Sequence, residues 1–323
     1  MLNKEMIIKI FKKFENFNIL CIGDIMVDEY IIGKTERVSQ EAPVPIVEID
    51  NVFLRMGGVG NVISNIVSLG GNVIPCGIIG TDSSGIFIKT ELKKMTNEKI
   101  LLLDRNRPTT KKTRIFSDNQ QMLRVDSESK ENVDNSYKDC IFGRMELWKD
   151  QYDAIIISDY QKGLLDDNFT QKIIKFGREN NKPIFVDPKG KYKKYKNANF
   201  ITPNLKELSF ATGMKIETDE QIYDAGMNLY HKLKIDGLIV TRGKDGISVI
   251  RNDGHEMITL PTKAKEVFDV SGAGDTVIAT FALSHLSGLS MEESAEIANL
   301  AAGRVVSKIG TTTTTLEEIL EVI

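Results

Sequence analysis

Short apolar runs alternate with amphipathic segments along most of this 323-residue chain. The alternation is most regular from residue 134 onwards, where apolar runs at 154–157, 184–186, 199–202 and 238–241 predict buried strands with helices between them. Strands that alternate with helices are typical of βαβ units, in which the strands run parallel. The predicted fold class is therefore α/β, with a three-layer, mainly parallel sheet that has helices on both faces.

Two segments nearer the N-terminus follow a different pattern. Residues 44–54 alternate apolar and polar side chains, as half-exposed antiparallel strands do. Residues 100–126 have strand character and carry a polar and basic set, which is Lys111, Lys112, Arg114, Asn119, Gln120, Gln121 and Arg124. We predict that about 30–56 and about 100–126 form a small β-sheet lid on a single domain spanning 1–323. An exposed hairpin is the alternative.

The charge balance gives no sign of a nucleic-acid or membrane partner. Lys and Arg total 42 and Asp and Glu total 45, for a net charge of −3, so no whole-surface attraction to either partner is expected. The cysteines Cys21, Cys76 and Cys140 are far apart and have no metal-binding spacing. The chain has no signal-peptide pattern and no apolar run of about 18 residues, so we expect a soluble, cytoplasmic protein.

Polar side chains follow several of the predicted strands. In open α/β sheets, ligands bind at the carboxyl ends of the strands, so these side chains are expected to line one cleft. They are Asp28, Asp159, Asp187, Asn204, Thr241 and the turn 269–275. Asn204 and Glu207 lie three residues apart at a predicted helix start, where they can orient phosphates or a hydrated Mg²⁺, an ion that keeps several of its waters.

The turn Asp269-Val270-Ser271-Gly272-Ala273-Gly274-Asp275-Thr276 precedes an apolar run that predicts a helix. Small residues at a helix start leave backbone N–H groups open, and the helix dipole adds partial positive charge, so the turn is suited to phosphate oxygens. Asp275 lies in the first helical turn, where its carboxylate can accept a proton from a nucleophile. An ordinary strand-to-helix turn is the alternative, since short glycine motifs are common.

A second glycine segment, Met56-Gly57-Gly58-Val59-Gly60-Asn61, also precedes a predicted helix and allows a ligand close to the backbone. Two other nucleotide-binding motifs fail: GxxxxGK[ST] does not occur, and a dinucleotide GxGxxG starting at Gly272 is broken by Val277. The chemistry best supported is phosphoryl transfer, which needs bound phosphates, a metal ion and a residue that orients the nucleophilic hydroxyl. A dinucleotide-dependent oxidoreductase is less well supported.

These residues resemble the motifs of the ribokinase-like, or PfkB, carbohydrate kinases. The resemblance rests on Gly57-Gly58-x-x-Asn61 and on the 269–276 turn. Within the family, the chain is most similar to the branch that phosphorylates C1 of D-glycero-β-D-manno-heptose 7-phosphate, often as the N-terminal half of a bifunctional protein that makes ADP-heptose for lipopolysaccharide. The supporting strings are GDIMVDEY (23–30), SQEAPVPIVEI (39–49), NQQMLRVD (119–126), SDYQKG (158–163), VDPKG (186–190), TPNLKE (202–207) and KIGT (308–311).

The resemblance implies a role for most of the polar residues above. Asp275 would be the base that acts on the anomeric hydroxyl, and Gly272, Ala273 and Gly274 would form the anion hole. The ATP site would comprise Asn204, Leu205, Lys206, Glu207, Thr241, Gly243, Gly246 and Asn299. The sugar-phosphate site would comprise Asp28, Gly57, Gly58, Asn61, Lys112, Arg114, Asn119, Gln121, Asp159, Lys162 and Lys189. Arg124 is a further candidate for the distal phosphate.

The resemblance also implies cofactors and partners. The cofactors would be ATP and Mg²⁺, with Glu207 meeting Mg²⁺ through water, and a monovalent cation such as K⁺ near Asp269 and Ser271. The partners would be a sugar phosphate, ATP and a second copy of the chain paired through the lid. A kinase for another sugar or sugar phosphate is the first alternative, and a non-catalytic sugar- or nucleotide-binding protein is the second. No HxGH-type signature occurs, so we expect the kinase step without an adenylyltransferase step.

Overall fold

The computed structural model of the protein describes residues 3–96, 100–118, 120–251, 257–263, 269–308 and 310–322. Its strands are β1 (Asn18–Gly23), β2 (Ile25–Val38), β3 (Pro45–Gly58), β4 (Asn72–Ile79), β5 (Ile100–Leu103), β6 (Thr110–Ser117), β7 (Gln120–Ser127), β8 (Ala154–Ser158), β9 (Ile184–Asp187), β10 (Phe200–Ile201), β11 (Gly237–Thr241), β12 (Ile247–Ile250) and β13 (Ile258–Leu260). Its α-helices are α1 (Lys4–Phe14), α2 (Val59–Ser68), α3 (Ser83–Met95), α4 (Asn135–Leu147), α5 (Asp167–Glu179), α6 (Leu205–Thr212), α7 (Asp219–Leu233), α8 (Ala273–Leu286), α9 (Met291–Val305) and α10 (Leu316–Leu320).

One large sheet has the strand order β13-β12-β11-β10-β9-β8-β1-β4-β5. The neighbouring strands from β11 to β5 are parallel, and β12 and β13 run antiparallel at one edge. The chain goes from β1 outward to β4 and β5 and then continues at β8, on the other side of β1. Such a reversal opens a crevice at the carboxyl ends of the strands, where ligands bind in open α/β sheets.

Helices cover both faces of the large sheet, which confirms the predicted fold class. Ile155 and Ile156 of β8 are both fully buried but belong to opposite hydrophobic clusters, because successive side chains of a strand point to opposite faces. The cluster around Ile156 includes residues of α1, α2, α8 and α9, and the cluster around Ile155 includes residues of α4, α5 and α7. Packing on both faces therefore holds the carboxyl ends of the central strands in fixed positions.

A second, four-stranded sheet has the order β3-β2-β6-β7. Strand β2 pairs antiparallel with β3 and parallel with β6, and β6 pairs antiparallel with β7. Ile100–Leu103, which the sequence pattern assigned to this small sheet, instead pairs with β4 in the large sheet. Its four successive apolar residues suit a parallel sheet covered by helices better than a half-exposed strand, which would alternate.

The register of the small sheet separates two faces of different chemistry, because directly opposite residues share a face. The inner face, which contacts the rest of the domain through Tyr30 and Lys112, has two charged or aromatic rows. They are Arg55–Asp28–Lys112–Asp126 and Phe53–Tyr30–Arg114–Arg124. The outer face has the apolar row Val52–Ile31–Ile115–Leu123.

Two findings bear on the expected environment of the chain. Within the described ranges, no helix has both the length and the apolar character that crossing a bilayer requires. All three cysteines are free thiols; Cys21 and Cys76 are buried in β1 and β4, where burial raises the pKa of both thiols, and Cys140 is exposed on α4.

Candidate active site

The polar residues predicted to line a cleft lie mainly at the carboxyl ends of β8, β9, β10 and β11. Asp159 follows β8, Asp187 ends β9, and Asn204 forms a bridge with Thr241 at the end of β11. Asp28 lies instead within β2 of the small sheet, on its inner face. The cleft is therefore bounded by the rim of the large sheet on one side and by the small sheet on the other.

The start of α8 lies in this cleft, and two glycines shape its backbone. Gly272 precedes the helix in the left-handed region, with φ of 82°, and a side chain there would meet the Asn61 amide nitrogen at 2.5 Å. Gly274 is exposed, with open space where a side chain would be. The N–H groups of a first helical turn have no acceptor inside the helix, so those near Gly274 are suited to bind an anion.

Asp275 lies in the same helical turn and is buried. One of its carboxylate oxygens accepts a hydrogen bond from Asn61 Nδ2 at 2.8 Å, and the other accepts one from the Tyr160 hydroxyl at 3.1 Å. Burial raises the pKa of Asp275 to about 6, although these two hydrogen bonds lower it. Asp275 is consequently ionised at neutral pH and is a stronger base than an ordinary aspartate.

Asn61 is held in place by hydrogen bonds that link it, through Asn65 one turn further along α2, to the first turn of α8. The Asn65 side-chain amide donates to the Asn61 backbone carbonyl oxygen at 2.9 Å and to Asn61 Oδ1 at 3.4 Å, and the Thr276 hydroxyl donates to Asn65 Oδ1 at 3.0 Å. All of these side chains are buried. Gly58, with φ of 58°, starts α2 and brings Asn61 to the base.

Asp28 is buried on the inner face of the small sheet and forms an ion pair with Arg114 at 2.5 Å. A side chain at Gly57 would collide with the Asp28 carboxylate. The glycine at this position therefore makes room for the carboxylate, which gives a physical reason for the Gly57-Gly58 pair beyond close approach of a ligand.

The predicted cationic residues differ in whether a carboxylate neutralises them. Arg114 pairs with Asp28, Lys162 with Glu128 at 2.5 Å, Lys189 with Glu207 at 3.0 Å and Arg124 with Asp126 at 2.6 Å. Within the part of the chain that the structure describes, no carboxylate lies within 4.0 Å of Lys112. Burial lowers the pKa of Lys112, and repulsion from the neighbouring cations at 114, 124 and 162 lowers it further, against attraction by Asp28. An anion bound here would relieve that repulsion.

The other end of the cleft is built around the start of α6. Asn204 and Glu207 form a capping box, with the Glu207 N–H donating to Asn204 Oδ1 and the Asn204 N–H donating to Glu207 Oε2, both at 2.9 Å. Leu205 and Lys206 are the first two residues of this helix. The three-residue spacing of Asn204 and Glu207, which suggested phosphate or metal binding, therefore also caps the start of α6.

The remaining residues predicted for the ATP site flank β11 to β13. Gly243 and Gly246 have positive φ, and a side chain at Gly246 would collide with the Leu260 carbonyl oxygen. The Asn299 amide donates to the carbonyl oxygens of Leu260 and Pro261, at 3.3 and 2.8 Å. Asn299 thereby ties α9 to the end of β13.

Three of the predicted site residues that the structure describes stand apart from the cleft or take internal partners. Asp159 is fully buried, where it accepts from the Tyr195 hydroxyl and pairs with Lys194. Gln121 is exposed on β7, and Asn119 lies outside the described residues. Asp269 accepts from the N–H groups of Ser271 at 2.8 Å and of Gly310 at 3.0 Å, so its carboxylate ties the turn before α8 to the segment after α9.

Tyr160 is the contact that the sequence reasoning missed. Its position directly after Asp159, at the end of a buried strand, was a usable signal. Its hydroxyl donates to the Asp275 carboxylate, and the Lys112 and Lys189 ammonium groups lie 5.0 and 5.2 Å from the centre of its ring.

The chain belongs to the pfkB family of carbohydrate kinases: the model of that family matches residues 16–319. This confirms the predicted family and enzyme class. The chain is 42% identical over 307 residues to the bifunctional protein HldE of Helicobacter hepaticus, covering 94% of this chain and 63% of that protein. It is 41% identical over 303 residues to HldE of Nitratiruptor sp., covering 94% and 64%. The chain thus spans less than two thirds of the length of these relatives.

Solved structures show the same fold. A structure of Arabidopsis thaliana ribokinase complexed with ribose and ATP superimposes with a TM-score of 0.75 at 21% identity, covering 95% of this chain and 98% of that one. Escherichia coli phosphofructokinase-2 in complex with potassium superimposes with a TM-score of 0.79 at 15% identity, covering 95% and 97%. At these identities the likeness concerns the fold.

Replacing Asp275 with asparagine is expected to stabilise the folded protein at neutral pH. Burial raises the pKa of this carboxyl from its ordinary value of 3.8 to about 6, so the folded state binds the proton more tightly than the unfolded state. The stability from this group is present below about pH 4 and is lost as the pH rises through about 6. D275N should therefore raise the free energy of unfolding by on the order of 2 kcal/mol at pH 7.5 and by much less at pH 4.5.

Urea denaturation at both pH values measures this difference, and Asp224→Asn, at an exposed carboxylate of α7, is the matched control. A D275N protein that is less stable than wild type at pH 7.5 would contradict the expectation.

Proposed function

We propose that the chain is an ATP-dependent kinase that phosphorylates the anomeric C1 hydroxyl of D-glycero-β-D-manno-heptose 7-phosphate to the 1,7-bisphosphate. The observation that carries the proposal is the buried Asp275 carboxylate in the same helical turn as the open N–H groups of α8. The similarity to HldE proteins over 94% of the chain supports the substrate, together with the matching strings along the sequence.

Phosphoryl transfer at this site requires a proton acceptor, stabilisation of negative charge and correct positioning of the acceptor. Asp275 accepts the proton of the attacking hydroxyl, for which its raised pKa is suited. The N–H groups at Gly272 and Gly274 stabilise charge on the transferred phosphoryl group, whereas the Ala273 N–H, the third predicted donor, already donates to the Val270 carbonyl oxygen at 3.3 Å. Because phosphoryl transfer depends largely on positioning and electrostatics, the hydrogen bond from Asn61 to the base holds the acceptor at the right place.

ATP would lie along the rim formed by 204–207, Thr241, Gly243, Gly246 and Asn299. One Glu207 oxygen pairs with Lys189 and the other accepts from the Asn204 N–H, so Glu207 fits an outer role towards Mg²⁺ through water. Within the described ranges, no group of three or more His, Cys, Asp or Glu side chains is arranged to hold a metal ion by itself. Bound Mg²⁺ would neutralise charge on the phosphates, and Asp269 and Ser271 supply hard oxygens suited to K⁺.

The sugar would lie against the inner face of the small sheet. Asp28 and Asn61 would bind its hydroxyls, with Gly57 making room for the Asp28 carboxylate and Gly58 for close approach of the sugar. For the distal phosphate, Lys112 is the favoured contact, because the other cations of the set are already paired with carboxylates and Lys112 is repelled by its cationic neighbours. The sequence alone did not rank these cations as contacts for the distal phosphate.

A homodimer formed through the small sheet is part of the proposal. The outer face carries the apolar row that ends in Val52 and Leu123, and these two side chains are 49% and 54% exposed. Val125, on the same face, is 50% exposed. An apolar row across four strands, exposed at its two ends, is the kind of surface that a second copy would bury.

Activity on the heptose 7-phosphate is expected to exceed activity on ribose, fructose and fructose 6-phosphate, which are the substrates that the fold alone would also allow. A coupled ADP-release assay with each sugar compares kcat/KM.

D275N should reduce kcat by about 100-fold or more, while ATP binding, measured by calorimetry, should change little. Turnover of another sugar but not of the heptose phosphate would refute the substrate, and full activity of D275N would refute the mechanism.

Lys112→Met is expected to raise KM for the sugar phosphate by roughly tenfold or more, because a charge-assisted hydrogen bond to the phosphate is lost. Lys111→Met is the matched control, since Lys111 directly precedes Lys112 in the same strand and pairs with Glu29 on the outer face. Steady-state kinetics with both substrates varied should leave KM for ATP nearly unchanged in both variants. Equal effects of the two substitutions would argue against a phosphate contact at Lys112.

Leu123→Lys is expected to convert the dimer to a monomer by placing a charge in the apolar row. Sedimentation at several protein concentrations measures the mass, and Leu147→Lys on α4, where the side chain is 78% exposed, is the control. A wild-type protein that stays monomeric at all concentrations would remove the proposed interface.

A further inference from the structure

The turn after β8 is held by more constraints than a surface turn needs. Asp24, directly after β1, accepts hydrogen bonds from the N–H groups of Tyr160 at 2.8 Å and Lys162 at 3.1 Å. Asp159 accepts from the Gln161 N–H at 2.8 Å. Gln161 itself adopts the left-handed conformation, with φ of 57°, which costs a non-glycine residue roughly 1–2 kcal/mol. Such conformations persist where surrounding contacts enforce them, commonly at active sites.

The result of these constraints is the placement of the Tyr160 side chain. Its hydroxyl donates to Asp275 Oδ1 at 3.1 Å, opposite the bond from Asn61 to Oδ2. Its ring lies near two ammonium groups from different parts of the chain, Lys112 of the small sheet and Lys189 after β9. Tyr160 therefore contacts the base directly and borders the region proposed for the sugar phosphate.

We propose that Tyr160 is a positioning residue for phosphoryl transfer: its hydroxyl holds the Asp275 carboxylate in the orientation that accepts the proton of the substrate hydroxyl. This inference rests on the proposed kinase function. Asn61 alone leaves the carboxylate free to rotate about its side chain, and a second donor on the other oxygen removes that freedom. Asp275 Oδ1 and Oδ2 are thereby fixed between α2 and the β8 turn.

The electrostatic surroundings make the Tyr160 hydroxyl a dependable donor. Burial raises the pKa of Tyr160 well above its ordinary value, and Asp275 and Asp187 raise it further, so the hydroxyl keeps its proton. The charged groups that face Asp275 are Asp28, which raises its pKa, and Lys189, which lowers it. Asp187 at the end of β9 also interacts with Asp275. The Tyr160 hydrogen bond stabilises the ionised base against its burial.

This role predicts a shift in the pH dependence of the reaction with a definite sign. The base works only when it is ionised, so kcat falls as the pH drops through its pKa. Tyr160→Phe removes a donor to the carboxylate and raises that pKa, which moves the acidic limb of the kcat profile to higher pH by about one unit. In the pH-independent region, kcat should fall about tenfold, with KM for ATP within about twofold of wild type.

Tyr152→Phe is the matched control, because the buried Tyr152 hydroxyl makes one hydrogen bond, to the Met145 carbonyl oxygen at 3.1 Å, far from the cleft. It loses a hydrogen bond of the same length and should keep the wild-type profile. A carbon-13 NMR titration of the Asp275 carboxyl, assigned by its absence in D275N, follows the same pKa without any turnover. It should rise in Y160F and stay unchanged in Y152F.

A second variant guards against poor folding of Y160F. Incorporation of 3-fluorotyrosine makes the Tyr160 hydroxyl a stronger donor without changing its shape, so the acidic limb should move to lower pH, and the effect should vanish in the Y160F background. Superimposable profiles for wild type, Y160F and the fluorinated enzyme would overturn the inference. If wild type phosphorylates none of the sugars, the proposed function fails instead, and the carbon-13 titration still tests the contact.

Discussion

The burial of one ionised carboxylate is the constraint on which the rest of this structure depends. Asp275 is 2% exposed, and moving a charged carboxylate out of water is costly unless donors replace the lost hydration. Here the donors come from α2 and from the turn after β8, and the helix dipole at the start of α8 adds a favourable field. The base therefore exists only when three distant parts of the fold meet.

The small sheet is joined to this centre through Tyr30. Its hydroxyl accepts from the Thr311 N–H at 3.0 Å, and its ring packs against Gly310, whose N–H donates to Asp269. Asp269 in turn binds the N–H of Ser271, next to the start of α8. Strand β2 thus carries both Asp28, proposed to contact the sugar, and Tyr30, which is linked to the anion site, so a shift of the small sheet would reach both.

Much of the fold followed from the sequence because its signals are local. Alternating strands and helices predicted the parallel sheet, and a glycine pair or a small-residue turn predicted the starts of α2 and α8. The prediction that 100–103 belongs to the small sheet was wrong, because a four-residue apolar run does not indicate which of two sheets it joins. Among the site residues, Asp275 was found through its motif, whereas the contacts of Tyr160 depend on packing between residues 115 apart in the chain. The ion pairs that single out Lys112 are likewise set by tertiary register, which no local pattern contains.

The separation in sequence of the groups around the base has a consequence for synthesis of the protein. Asn61 and Asp275 are 214 residues apart, and β1, the central strand, pairs with β8 as well as β4. At about 5–20 residues per second, the ribosome needs roughly 10 to 40 s between the two side chains. A nascent chain can pair β1 with β4 early, but Asp275 arrives only with α8, so a product truncated before α8 carries the Gly57-Gly58 pair and Asn61 without the carboxylate that Asn61 contacts.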